Sequence, residues 1–182
     1  HLMTFPRLTV SLTLLTLIAA TNLEAETIYV NELGANPSAP YGSWETATDS
    51  LQDALTEAGP GDEIWVARGT YFPDEGAFFA DNSRSSRFTL RDGIGIYGGF
   101  AGDETSVDTA DPAANPTILS GEIQQDGDAS NNAYHVISAV TEGASAVLQG
   151  FTIQGGNANA LGGSFDSRGG GLNCFQASPT KS

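Results

Sequence analysis

Basic residues are scarce in this chain. Its 182 residues include 7 Lys plus Arg against 22 Asp plus Glu, a formal charge of −15, which excludes a nucleic-acid reader working through a basic surface. Lysine is down to Lys181 alone, so chemistry that needs a lysine base or Schiff base has almost no candidate. Of the two histidines, His1 precedes Met3 and only His135 lies in the body of the chain. A metal cluster of several histidines is therefore excluded, and any Ser-His-Asp triad would have to use His135. The one cysteine, Cys174, excludes an internal disulfide framework and a CxxC metal or redox site; it reads as a small buried apolar residue. After residue 20 no apolar run is long enough to cross a bilayer.

What remains is 40% apolar and 9% aromatic, with 22 Gly and 8 Pro. This describes one globular domain rich in turns, because disordered chains lack so much apolar material. An acidic, lysine-poor surface suits high salt, contact with divalent cations, or solubility alone.

The first residues read as a targeting segment. Arg7 supplies a positive charge, Leu8 to Ala20 is an apolar run broken only by Ser and Thr, and Ala25 offers a small residue before Glu26. The run is too short for a membrane span and fits a secretory signal peptide, residues 1–25. Its removal leaves 6 basic and 21 acidic residues and a charge still at −15. Residues 26–182 are then the exported domain, with no transmembrane helix.

Within that domain one helix is expected. From Ser43 onward, Trp44, Leu51, Ala54, Leu55 and Ala58 fall on one face while Glu45, Asp49, Asp53 and Glu57 take the other. Ser43 is placed to cap the first turn, and Gly59-Pro60-Gly61 to end it. The rest reads as short strands between Gly, Asn and Asp turns: Thr27–Val30, Glu63–Ala67, Phe88–Leu90, Gly93–Tyr97, Thr117–Ile123, Tyr134–Val140 and Ala146–Ile153. Their cores alternate poorly and are rich in β-branched residues, as in strands buried on more than one side. Signals for two-residue hairpins are few. Leu148-Gln149-Gly150-Phe151-Thr152-Ile153-Gln154-Gly155-Gly156-Asn157 and Gly169-Gly170-Gly171-Leu172-Asn173-Cys174 form a quasi-repeat of apolar rungs punctuated by Gly and Asn. A solenoid of stacked coils produces such a pattern; a β-sandwich is the alternative.

These residues resemble the right-handed parallel β-helix proteins of the pectin-lyase-like class, particularly large exported bacterial proteins with polymorphic-outer-membrane-protein-like repeats. The likeness spans roughly residues 27 to 180. It rests on Leu51-Gln52-Asp53-Ala54-Leu55 through Pro60 to Tyr71, on Gly95 to Gly102, on Asn115 to Gly121, on Tyr134-His135-Val136, and on the two segments of the quasi-repeat. The resemblance implies an all-β right-handed parallel β-helix, a solenoid with an N-terminal amphipathic capping helix that closes the shaft with Trp44, Leu51 and Leu55. An open solenoid end exposes strand edges and core, a hazard that a covering helix removes. It further implies that Ser178 to Ser182 lies where another strand would begin, so further β-helix coils of the same chain are expected to follow.

The candidate sites are modest. Arg68, Arg84, Arg87, Arg91 and Arg168 are the possible proton-abstracting groups of a carbohydrate lyase, but none sits in a recognisable catalytic motif, and no catalytic residue is assigned. His135 reads as a hydrogen-bonded strand residue. In Glu122 to Asn132, Asp126, Asp128 and Asn131 cluster the hard oxygens that Ca²⁺ prefers. This is no EF-hand, since Asn131 and Ile137 stand where that loop needs Gly and Glu. Asp103, Glu104, Asp108 and Asp111 form a second, more dispersed acidic loop. Tyr71, Phe72, Phe78 and Phe79 suit burial against the first coils, or stacking on sugar rings. The expected function is a secreted or bacterial cell-surface protein with a structural, adhesive or polysaccharide-binding role and no nucleic-acid partner. A polysaccharide lyase or glycoside hydrolase whose catalytic residues lie beyond Ser182 is the second reading.

Overall fold

A computed structural model describes residues 24–140, 145–161 and 165–175; most of the expected signal peptide lies outside them. The chain is mostly β, with parallel sheets and one α-helix. The strands are β1 (Thr27–Val30), β2 (Glu63–Ala67), β3 (Gly69–Tyr71), β4 (Phe88–Leu90), β5 (Gly95–Phe100), β6 (Thr117–Ser120), β7 (Ile137–Val140), β8 (Val147–Gln149), β9 (Phe151–Gln154) and β10 (Leu172–Phe175). They form three small sheets: the first ordered β1-β2-β5-β8, the second β3-β6-β9 and the third β4-β7-β10. Every pairing is parallel. From β2 onward the chain visits first, second and third sheet in turn, and each strand pairs with the strand three places further on.

The register lines up like with like. Ile28, Ile64, Ile96 and Leu148 form one column of the first sheet. Tyr71, Leu119 and Ile153 do so in the second, and Phe88, Ile137 and Leu172 in the third. The early members of these columns make up the core, and each fully buried aliphatic contributes roughly 1.5–3 kcal/mol. This explains the poor alternation in the sequence: strands wrapped around a shared interior hold apolar residues at successive positions. The columns end exposed. Ile137 is fully buried while Leu172 is 46% exposed, and Ile153 is 36% exposed. Cys174, expected to be buried, is exposed as well, because among the described residues nothing pairs with the outer edge of β10.

The other end is closed. Thr48 bridges to Val30 in parallel on the free edge of β1, donating its N–H to Tyr29 O at 3.1 Å and accepting from Asn31 N at 2.8 Å. Helix α1 (Leu51–Glu57) buries Leu51, Gln52, Ala54 and Leu55 and packs on β1, β2 and β4. Here the structure corrects the helix expected from Ser43. That serine caps only a separate 3₁₀ turn, Trp44–Thr46, and α1 starts after Ser50, whose Oγ accepts from Asp53 N at 3.3 Å. The extended Thr48 between them covers a strand edge, which a continuous helix would leave open. Trp44 accordingly leaves the lid and lies outside the first sheet, 4.7 Å from the Tyr29 ring. Arg91 ends the helix by donating to Leu55 O, and to Ala58 O at 2.5 Å.

The strand expected over Gly93–Tyr97 is Gly95–Phe100, the one over Thr117–Ile123 ends at Ser120, and two further strand readings change. Ala146–Ile153 is not one strand: Gly150 takes φ +84° and splits it into β8 and β9, in different sheets. An L-residue strains at that φ, and a Cβ there would come within 2.3 Å of Gly98 O. The expected strand from Tyr134 begins only at Ile137, leaving His135 in the turn before it.

Candidate functional site

A candidate site lies beside the lid. A cavity of about 530 Å³ is bordered by the turn after β1, the start of α1, β3 and the turn that follows it, and the turn after β6. Four carboxylates face it, from Glu32, Asp49, Asp53 and Glu75, with Ser50, Thr70 and Gln125 among them and Phe72 as an apolar wall. Two of them are placed by backbone amides. Glu32 Oε2 accepts from Thr70 N at 2.9 Å, and Asp53 Oδ1 accepts from Ala77 N at 2.9 Å. Ser50 Oγ donates to Glu75 O at 3.1 Å, and Gln52 Nε2 donates to Pro73 O at 2.6 Å. The helix start and the following turn are thus tied into one rim.

Crowding acts on the acids. Burial first, then the charges of Asp74, Asp49 and Glu32, pushes the Glu75 carboxyl above its ordinary range. Next to it Asp74 is buried; its Oδ2 accepts from Asn82 N at 2.7 Å while Oδ1 has no partner. Burial, with the charge of Asp81, raises this carboxyl too. The cavity therefore presents many acceptors, an aromatic wall and a carboxyl that holds its proton to higher pH than usual. Such a lining receives hydroxyl or ammonium donors and repels anionic polymers.

The aromatic cluster separates. Tyr71 is buried, and burial pushes its phenol well up; it donates to Ala67 O at 2.9 Å. Phe72 lines the cavity, whereas Phe78 is 83% exposed.

The proposed calcium residues do come together. Asp126 Oδ2 accepts from Asn131 Nδ2 at 2.8 Å, and Asp126 Oδ1 accepts from Asp128 N at 2.9 Å. Asp128 Oδ1 accepts from Ser130 N at 2.9 Å and caps the 3₁₀ turn Ala129–Asn131. The Ser130 hydroxyl and amide hold the Asp128 carboxyl below its ordinary value. These oxygens face the loop's own N–H donors. Asn131 Oδ1 is left buried without a partner, and among the described residues no group of three or more His, Cys, Asp or Glu is arranged to hold a metal. In the other acidic loop, partial burial pushes Glu104 up but the amides of Ala101, Gly102 and Asp103 outweigh it, keeping its carboxyl below the ordinary range.

His135 is 1% exposed. Its Nδ1 lies 3.0 Å from Gly169 O, its Nε2 3.3 Å from Asp166 Oδ1, and the Phe165 ring meets it edge-on at 5.0 Å. It fastens the turn before β10 to the turn before β7. Arg84 acts similarly, with Nε donating to Asn132 O at 2.6 Å, Nη2 donating to Asn159 Oδ1 at 2.7 Å, and its guanidinium 4.2 Å from the Tyr134 ring centre. Arg84 and Arg91 are thus committed to holding turns and the helix end.

Comparison with protein-family models, with curated proteins and with solved structures finds no match to this chain. The acidic cavity was not legible in the sequence, because Glu32, Asp49, Asp53, Glu75 and Gln125 come from four separate stretches that only the strand pairing unites.

Proposed function

We propose that this chain is the lidded first part of a right-handed parallel β-helix, exported from a bacterium, that serves as a structural and polysaccharide-binding module at the cell surface. The repeated first-second-third order of the sheets supports the helical reading, since a coil that always advances to the next sheet and stacks in register is what such a helix requires. Handedness follows from parallel crossovers, which are right-handed in about 98% of cases. Export follows from the leader-like residues 1–25.

The observation that carries the binding role is the cavity beside α1. Its acceptors and the Phe72 wall suit a polyhydroxylated ligand, with aromatic surface against C–H faces and carboxylates receiving hydroxyls. Four carboxylates on a chain of net charge −15 favour neutral or amino-sugar polymers over polyuronates.

A pull-down of the purified chain on immobilised neutral, amino-sugar and uronate polysaccharides tests this. Retention on a neutral or amino-sugar polymer, weakened by the Glu32→Gln/Glu75→Gln double variant, is the expected result. Retention on none of them, or release of ultraviolet-absorbing unsaturated products from polygalacturonate, overturns it.

A further inference from the structure

Of the three crossings from the first sheet to the second, one is unlike the other two. The chain passes from the first sheet to the second through Arg68 alone between β2 and β3, and through Gly150 alone between β8 and β9. Between β5 and β6 it takes residues 101–116 to make the same step. A long excursion where one residue suffices is costly in ordering entropy, and loops of that kind tend to carry function.

The excursion begins at a β-bulge. Val66 pairs with Gly98 and Ala67 with Phe100, so Gly99 is the inserted residue, at φ +102°. The extra residue turns Phe100 to the outer side, where it stacks on Trp65 at 5.0 Å with the planes 7° apart. It also aims its own backbone at the loop: Gly99 O accepts from Asp111 N at 2.8 Å, and a Cβ on Gly99 would lie 2.7 Å from Pro112 N. Only glycine lets Pro112 come so close. Trp44 Nε1 holds the near end of the loop by donating to Glu104 O at 2.9 Å, and Ser106 caps the turn Val107–Thr109. The loop is therefore anchored at several points and overhangs the outer face of β5 and β8.

Under it is a cleft of about 320 Å³ lined by Tyr97, Val107, Asp108, Pro112 and Gln149, at the lower end of the ~300–1,000 Å³ typical of small-molecule sites. Tyr97 and Gln149 are register partners on neighbouring strands. The Tyr97 ring is laid back along the strand over Gly95, where a Cβ would meet its Cε2 at 2.7 Å. The residue before the aromatic one in the same outward row is thus a glycine for a steric reason. The neighbouring outer rings, Trp65 and Phe100, are buried against one another, while Tyr97 stays partly open. Among the described residues the Tyr97 hydroxyl, the Asp108 carboxylate and the Gln149 amide make no hydrogen bond, so a ring, a carboxylate and an amide converge on one cleft with their polar groups uncommitted.

We infer that this cleft is a second saccharide subsite, separate from the acidic cavity, that takes one neutral pyranose ring of a glycan chain. Tyr97 offers its ring to the C–H face, Asp108 accepts from adjacent hydroxyls, and Gln149 both donates to and accepts from the ring substituents. A uronate is disfavoured, because the one charged group in the lining is an anion. The inference rests on the glycan-binding reading and adds where, and which sugar class, the outer face binds.

The test is calorimetric titration of the full chain with cellohexaose, xylohexaose and trigalacturonate, repeated on Tyr97→Ala, Tyr97→Phe, Gln149→Ala and Asp108→Asn, with thermal melts to confirm folding. A neutral hexaose is expected to bind and trigalacturonate not to. Tyr97→Ala and Gln149→Ala should each weaken binding by about 10-fold, the loss of one ring contact or a pair of hydrogen bonds, while Tyr97→Phe stays near the parent. Gln149 and Asp108 are exposed, so their variants report even if Tyr97→Ala unfolds. Neutral binding that survives unchanged in Gln149→Ala and Asp108→Asn refutes this cleft and leaves the acidic cavity as the binding site. No binding of either neutral probe refutes the cleft and, together with a failed polysaccharide pull-down, the glycan reading itself.

Discussion

Ile137 and Leu172 occupy the same column of the third sheet, one strand apart, and truncating each should have unequal consequences. Ile137 is fully buried, with Phe88 below it and Leu172 above it, so Ile137→Ala removes a side chain enclosed on both sides. The lost transfer energy and the residual cavity put its cost at about 3–4 kcal/mol. Leu172 is 46% exposed; its truncation removes roughly half the apolar burial and leaves a dent that solvent fills, so about 1 kcal/mol is expected. Urea unfolding followed by the fluorescence of Trp44 and Trp65 measures both. Leu172→Ala costing as much as Ile137→Ala would refute the reasoning, because Leu172 would then have to be covered in solution. A loss under about 1 kcal/mol for Ile137→Ala would refute the column itself.

Other perturbations probe the lid, the acids and the turns. Ser50→Ala removes the cap of α1 and should lower stability by about 1 kcal/mol, read from the same urea curves. Asp74 is raised by burial above its ordinary value of 3.8, so its protonated form is the one the fold favours. Its contribution is present below that value and is lost as pH rises through the raised one. Asp74→Asn should therefore melt higher than the parent at pH 7 and show a flatter decline above pH ~4; parallel melting profiles for the two proteins would contradict this. Gly150→Ala, which forces a Cβ against Gly98 O in a left-handed backbone, should cost well over 1 kcal/mol or abolish folding, as judged by circular dichroism. The Asp126–Asn131 turn is closed by its own donors, so millimolar Ca²⁺ and chelator should give the same melting temperature.

The strands legible in the sequence are those whose apolar cores are set off by polar or glycine residues, such as Glu63–Ala67 between Gly61-Asp62 and Gly69, and Phe88–Leu90 between Ser85-Ser86-Arg87 and Asp92-Gly93. Gly69–Tyr71 is not legible because it is only three residues long and follows β2 after Arg68 alone, and its pairing with Thr117–Leu119 is a long-range fact. The helical spacing from Ser43 was real for Leu51, Ala54 and Leu55, yet tertiary pairing of Thr48 with β1 overrode it nearer the N-terminus. For the sites the division is the same. The loop of Asp126, Asp128 and Asn131 is local and its residues do meet. The acidic cavity and the cleft over Tyr97 join side chains distant in sequence, and Cys174 is exposed for the equally non-local reason that its strand lies at a sheet edge.

The lid over β1 and, among the described residues, the unpaired outer edges of β8, β9 and β10 give the molecule a direction of growth. Strand edges are templates, and at the lidded end the template is already occupied. From β5 onward each strand docks on the strand three places before it, so each step closes a loop between near neighbours instead of spanning the whole chain. Folding that starts with α1 against β1, β2 and β4 would then run like a zip from the first residues toward the last. A chain delivered N-terminus first would meet, at every moment, a finished surface waiting for its next strand.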